Sequence, residues 1–357
     1  MTSGEVTETV RDPTAEIKIT TLHSTRGINF WSKRPVIRMD LAVGAYDEIH
    51  SAAVDGFTDR LLAALPGLQD HHCSIGSRGG FVIRLKRGTY APHIIEHVAL
   101  ELQALVGHEV GYGRTRGGDV RGEYTVVFEH RHEQVGMRAA AAALDIVQRA
   151  FAGSLETVHP IIEELESLAG TTNTPELRQR VTCGITGGGP RAETQAELVR
   201  LLEARGVQDP LVIDAAPSYL LQAGLPYSRS EIAIILDARP GNAVPERYQE
   251  PENARRLVGI VADAVPRNGT VICPAKEWEL QDYARDLDCR VAIFAVDDDV
   301  TWRDQRVASA VGLVRNGEIW VERCGDPVSA GMLRDDVSAE AQVAAALGEY
   351  VTRVDCA

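Results

Sequence analysis

Apolar residues in the first half of the chain follow two different periods. Ile17-Lys-Ile-Thr-Thr-Leu22 and Val36-Ile-Arg-Met-Asp-Leu41 alternate as strands do. Residues 56–68 instead place Phe57, Leu61, Leu62 and Leu65 on one face of a helix. Glycines mark Gly76-Ser-Arg-Gly-Gly80 as a loop leading into the apolar run Phe81-Val-Ile-Arg-Leu85. Residues 92–103 read as a helix, with Ile94, Ile95, Val98, Leu102 and Leu105 on one side. Tyr124-Thr-Val-Val-Phe-Glu129 predicts a strand, and the Ala-rich stretch 134–151 a helix. Residues 154–169 are largely helical, with Pro160 at a kink or in the first turn.

After the linker Gly170-Thr-Thr-Asn-Thr-Pro175 the order changes. Val181-Thr-Cys-Gly-Ile185 is strand-like and runs into the turn Gly187-Gly-Gly-Pro190, then into a helix to about Arg205. Further strands are expected over 210–214, 231–237, 270–273 and 290–296, with helices between them. Such alternation predicts a mostly parallel sheet covered on both faces. The fold class is therefore α/β. It comprises a disordered tail over 1–16, an α+β domain over 17–170 and a second, parallel-sheet domain over 176–357.

Composition narrows the function. The 357 residues are 44% hydrophobic and 25% charged, enough for a core in each half. A net charge of -14 argues against nucleic acid as a partner, because phosphate contacts need a cationic surface. No apolar run is long enough to span a bilayer, and the acidic N-terminus carries no export signal. Cys73, Cys183, Cys273, Cys289, Cys324 and Cys356 form no Cys-x-x-Cys pair, which suits reduced thiols and a cytoplasmic location.

The chemistry concentrates in His93-Ile-Ile-Glu-His97. Residues four apart share a helix face, so both imidazoles can reach one ion. This is the inverted zinc-peptidase signature, in which Glu96 would act as the base on a metal-bound water. Zn2+ is the expected cofactor, and a catalytic zinc needs a third protein ligand. Glu101 lies about 12 Å from His93 along the helix, too far to share an ion with both His. Glu129 is the favoured third ligand, with His72, His130 and His132 as alternatives and Cys73 as a soft candidate. Arg78, Arg84, Arg114 and Arg116 stand out in an acidic chain. Arg114-Thr-Arg116 is expected on a loop, and guanidinium forks at Arg78, Arg114 and Arg116 would grip substrate carboxylates.

Several stretches resemble the N-terminal domain of the cyanophycin synthetase family. They are Arg26-Gly-Ile-Asn-Phe-Trp31, Cys73-Ser-Ile-Gly-Ser-Arg-Gly-Gly-Phe81, Gly88-Thr89, the motif helix through Gln103, Val110-Gly-Tyr-Gly-Arg-Thr-Arg116 and Tyr124-Thr-Val-Val-Phe-Glu129. The resemblance implies a domain that holds a growing Asp-Arg polymer and that, in some members, carries a zinc peptidase-like site. The second half is similar to the phosphate-loop and central region of the family's Mur-ligase-like domain. Ser230-Glu-Ile-Ala-Ile-Ile-Leu236, Asn268-Gly-Thr-Val-Ile272 and Val291-Ala-Ile-Phe-Ala-Val-Asp297 carry that likeness. No room remains between the halves for the family's ATP-grasp domain.

The phosphate loop departs from the pattern. Gly184-Ile-Thr-Gly-Gly-Gly-Pro-Arg-Ala-Glu-Thr194 lacks the Lys that a triphosphate needs, and Pro190 removes a backbone donor. The family's acidic and His metal-binding residues are replaced by Asp237-Ala-Arg-Pro-Gly-Asn242, and Cys273-Pro-Ala-Lys276 stands where the family has Asn-Ala-Asp-Asp. The sequence alone thus predicts a homo-oligomeric zinc-dependent peptidase or isopeptidase acting on a small or Asp/Arg-type peptide. The alternatives are a non-catalytic peptide-binding or regulatory relative of cyanophycin synthetase and, more weakly, an ATP-dependent amide ligase.

Overall fold

A computed structural model describes residues 16–73, 76–171, 180–296, 308–322 and 327–353. The tail over 1–15, most of the 170–175 linker, Cys324 and Cys356 lie outside them. The chain divides into two compact units: Met1–Thr25 with Arg34–Pro175, and Arg26–Lys33 with Glu176–Ala357. Arg26-Gly-Ile-Asn-Phe-Trp31 therefore groups with the second unit rather than with the first half. No helix among the described residues is long and apolar enough to cross a membrane.

Unit 1 is built on four antiparallel strands. These are β1 (Lys18–Thr25), β2 (Val36–Ala42), β3 (Gly113–Gly117) and β4 (Glu123–Glu129), in the order β1-β2-β4-β3. Strand alternation gives the sheet two faces. Ile37, Met39 and Leu41 of β2 and Val126 and Phe128 of β4 belong to the unit's core. Short helices α1 (Phe57–Ala64) and α2 (Gly80–Arg87) precede α3 (Ala91–Leu105), α4 (Glu133–Ala152) and α5 (His159–Thr171). The run from Phe81 to Leu85 is thus helical, and α3 packs on β3, β4 and α4. Helix α3 starts with Pro92 in its first turn, where a missing N–H costs nothing. Ile94, Ile95, Val98 and Leu102 are completely buried on it.

Arg114 and Arg116 lie on β3 and not on a loop. Gly-Arg-Thr-Arg-Gly has no apolar alternation because β3 is an edge strand, pairing only with β4.

Unit 2 carries an eight-stranded sheet. Its strands are β5 (Arg180–Thr186), β6 (Val212–Asp214), β7 (Arg229–Ile235), β8 (Thr270–Pro274), β9 (Arg290–Ala295), β10 (Ala310–Arg315), β11 (Glu318–Glu322) and β12 (Val328–Met332). The order is β12-β11-β10-β9-β8-β7-β5-β6, parallel from β6 to β10 and antiparallel at β11 and β12. Helices α6 (Arg191–Ala204), α7 (Pro217–Ala223), α8 (Pro251–Asp263), α9 (Trp278–Asp286) and α10 (Ala339–Val351) cover it. The mixed α/β class with a mostly parallel sheet is as expected, and the antiparallel strands at its edge are an addition.

Candidate functional site

A cleft of about 790 Å³ opens in unit 1 between α3, the β3 edge and the segment before α2. His71, Cys73, Arg84, Thr89, His93, Glu96, His97, Arg114 and Thr115 are among its lining residues. Ligand atoms of Cys73, His93 and His97 lie within 4.8 Å of one another. The helix supplies the two imidazoles because 93 and 97 fall four apart. Cys73 arrives from outside the helix with φ 56°, a left-handed backbone that costs an L-residue about 1–2 kcal/mol. Outliers of this kind concentrate at functional positions. Its Sγ lies 3.3 Å from His93 Nε2.

Each imidazole is held from its other nitrogen. His93 Nδ1 lies 2.8 Å from Thr89 Oγ1, just ahead of the helix. His97 Nδ1 lies 2.9 Å from His71 Nδ1, and His71 Nε2 is 3.0 Å from Glu101 Oε2. The Phe81 ring stacks on His97 at 4.0 Å and 21°. Burial pulls His93 down to about 4, helped by the charge of Arg84. Burial likewise pulls His97 down to about 2, helped by His93 and His71. Both rings are therefore neutral at neutral pH, the form that binds a metal. Glu96 is pushed up to about 7 by burial, against the opposing effect of Thr115, whose hydroxyl donates to Glu96 Oε2 at 2.5 Å.

The other expected site residues are distributed differently. Glu129 pairs with Val36 in the ladder and alternates with Phe128, so it leaves the sheet on the face away from α3. Its carboxylate approaches Arg34 at 3.6 Å and takes no part in the Cys73–His93–His97 group. Glu101 contributes through His71, as distance had excluded it from the ion itself. His72 lines the cleft, whereas His130 hydrogen-bonds Ser24 and His132 is the residue just before α4, with no side-chain bond to the helix end. Arg78 is a surface residue tied to Asp70 at 2.7 Å. Arg114 borders the cleft, but register pairs Arg114 with Val127 and Arg116 with Thr125, both on the face opposite Thr115. His71, Thr89 and Thr115 were not singled out by the sequence. Single polar residues in loops and edge strands carry no periodic signal.

In unit 2 the glycine loop between β5 and α6 is occupied by the protein's own groups. Gly188 N–H donates to Asp237 Oδ1 at 2.7 Å, and Arg239 N–H donates to the same oxygen at 2.9 Å. Arg191, the substitute for the missing Lys, donates to Asp214 Oδ1 at 2.7 Å and to the Gly187 carbonyl.

The fold and site together define a two-unit α/β protein with a metal-competent helix. Residues 36–152 match the cyanophycin synthase-like N-terminal domain. Over 260 residues the chain is 32% identical to the cyanophycin synthetase of Trichormus variabilis, covering 72% of this chain and 27% of that protein. The enzyme of that name from Geminocystis herdmanii is 33% identical over 263 residues, covering 73% and 28%. The chain is cyanophycin synthetase-like, and it spans little more than a quarter of the length of these relatives. Weaker likeness extends to a murein peptide ligase from Psychrobacter arcticus (12% identity, TM-score 0.36, 50% of this chain and 45% of that one). A MurF ligase from Thermotoga maritima in complex with ADP gives 13% identity and a TM-score of 0.34 over 49% and 45%.

The cyanophycin synthetase relatives overturn the expectation of a metallopeptidase or other amide hydrolase, because they are synthetases. The physical reason lies in what the motif encodes. His-x-x-Glu-His spacing determines which side chains can share an ion, and leaves open what is done with the bound ligand. Glu96, read as the base, has one carboxylate oxygen engaged by Thr115.

Proposed function

We propose that this chain is a peptide-binding relative of cyanophycin synthetase, serving the synthetic side of amide-bond chemistry. Its unit 1 cleft takes a peptide of the Asp/Arg type beside a zinc ion held by Cys73, His93 and His97. The observation that carries this reading is the convergence of those three donors, within 4.8 Å, in the wall of the cleft. A thiolate with two imidazoles suits zinc, and three protein ligands leave a coordination position that a peptide carboxylate or carbonyl can take. The chain's own residues do the rest. Burial keeps both imidazoles unprotonated, while Thr89 and His71 hold them from their outer nitrogens. Arg84 borders the cleft with no ion-pair partner among the described residues, so its fork is available to a ligand carboxylate.

Elemental analysis tests the reading directly, on protein purified without a His tag or added metal. About one zinc per chain is expected, falling several-fold in Cys73→Ser and in His97→Ala. A wild-type protein that holds no transition metal, and that zinc does not stabilise in a thermal melt, contradicts it.

A second reading, an ATP-dependent amide ligase, is favoured by the synthetase relatives and by the glycine loop that joins β5 to α6. It requires Asp237 to leave the loop amides, since a carboxylate and a phosphate compete for the same donors.

A further inference from the structure

Helix α3 presents three ionisable residues at four-residue intervals: His93, His97 and Glu101. The first two belong to the metal group, and the third does not. Glu101 is nevertheless only 5% exposed. A buried carboxylate is costly unless it is paired, so its position calls for a partner. That partner is His71, placed between Glu101 and His97 by the turn Pro66–Asp70 that precedes it. The turn leaves room for the carboxylate through Gly67. A Cβ on Gly67 would lie 2.0 Å from Glu101 Oε1.

We infer that Glu101 and His71 form a directional relay that sets the tautomer of His97, so that His97 presents a bare Nε2 to the metal. Glu101 and His71 are positioning residues in this account, and the proposal rests on the metal reading above. The direction follows from donor and acceptor accounting. An ionised carboxylate only accepts, so His71 Nε2, 3.0 Å from Glu101 Oε2, must carry the hydrogen. A neutral imidazole has one N–H, which leaves His71 Nδ1 as an acceptor. His71 Nδ1 lies 2.9 Å from His97 Nδ1, so beside a neutral His71 it is His97 that donates, from Nδ1, whereas a doubly protonated His71 would donate to His97 instead. Its own single N–H is then used, and Nε2 holds a lone pair. The opposite register would set the His71 lone pair against the Glu101 carboxylate, two acceptors facing at 3.0 Å. Phe81, stacked on the His97 ring at 4.0 Å, keeps that ring in the plane the relay needs.

The contact at His93 differs in kind. Its partner Thr89 has a hydroxyl that can either donate or accept, so Thr89 holds the ring without dictating the tautomer. Only one of the two imidazoles is thus constrained by a charge.

The test combines nitrogen NMR with zinc competition on the full chain. In zinc-free wild type, long-range ¹⁵N–¹H spectra should show His97 as the Nδ1–H tautomer. In Glu101→Gln, whose amide can either donate or accept, a mixture of tautomers is expected. Competition against a chromophoric chelator should show zinc bound about 10- to 100-fold more weakly in that variant, the scale of outer-shell effects at metal sites. Gly67→Ala displaces the carboxylate without removing it and should weaken zinc in the same direction. A wild-type His97 found as Nε2–H overturns the relay, whatever the variants do. So does Glu101→Gln with unchanged tautomer and unchanged zinc affinity. Absence of zinc from wild type would instead sink the metal reading, while the tautomer of the zinc-free protein would still decide the relay.

Discussion

Cys73 and Glu129 separate what a spacing rule can find from what needs the fold. The pair His93 and His97 is legible because helix geometry converts a gap of four into a shared face. Glu129 could have been excluded by parity, since Val126 and Phe128 are buried toward α3 and an odd neighbour must point away. Cys73 is twenty residues before His93, and only the left-handed bend at φ 56° brings its sulfur to the ring. The two residues therefore give opposite predictions. Cys73→Ser should weaken zinc by at least tenfold in chelator competition, because a neutral hydroxyl is a poor replacement for a thiolate. Glu129→Gln should leave zinc affinity within about twofold of wild type, since its carboxylate approaches Arg34 on the other face.

At the scale of elements, α3 carries both the core and the site. Leu102 and Ile95 are completely buried in it, so Leu102→Ala should cost about 2–5 kcal/mol in urea unfolding. Loss of less than about 1 kcal/mol would mean that the helix does not pack as described. Just after β4, His130 supplies a pH dependence. Burial holds its pKa down from 6.5 to about 4, so the folded state keeps it neutral while the unfolded state takes a proton below 6.5. Its contribution is complete above pH 6.5 and is lost as pH falls toward 4, by about 3 kcal/mol. Urea melts between pH 7 and 4.5 should therefore show a shallower pH slope for His130→Asn than for wild type. Strands with apolar alternation and the long helices were readable in the sequence. Strands β3, β10, β11 and β12 were not: the edge strands β3 and β12 need no apolar period, and Gly312 interrupts the apolar run of β10.

For the molecule as a whole, unit 1 has an open cleft and unit 2 a glycine loop held by its own Asp237. The loss of the loop Lys was legible, but the occupation of the loop by Asp237 was not, since Gly188 and Asp237 are distant in sequence. Calorimetric titration with ATP and Mg²⁺ should give no saturable binding in the micromolar range. Binding abolished by Arg191→Ala would favour the ligase reading, because Arg191 would then have left Asp214 for phosphate.

The central claim concerns the cleft of unit 1, and a peptide titration tests it most directly. An Asp/Arg-type peptide is titrated calorimetrically into zinc-loaded and zinc-stripped chain, and the recovered peptide is weighed by mass spectrometry. The account predicts saturable binding to the zinc-loaded protein, at least tenfold weaker without zinc and weaker again in Arg84→Ala, with the peptide returned intact. Binding indifferent to both zinc and Arg84, or no binding at all, would contradict it, as would recovery of cleaved peptide.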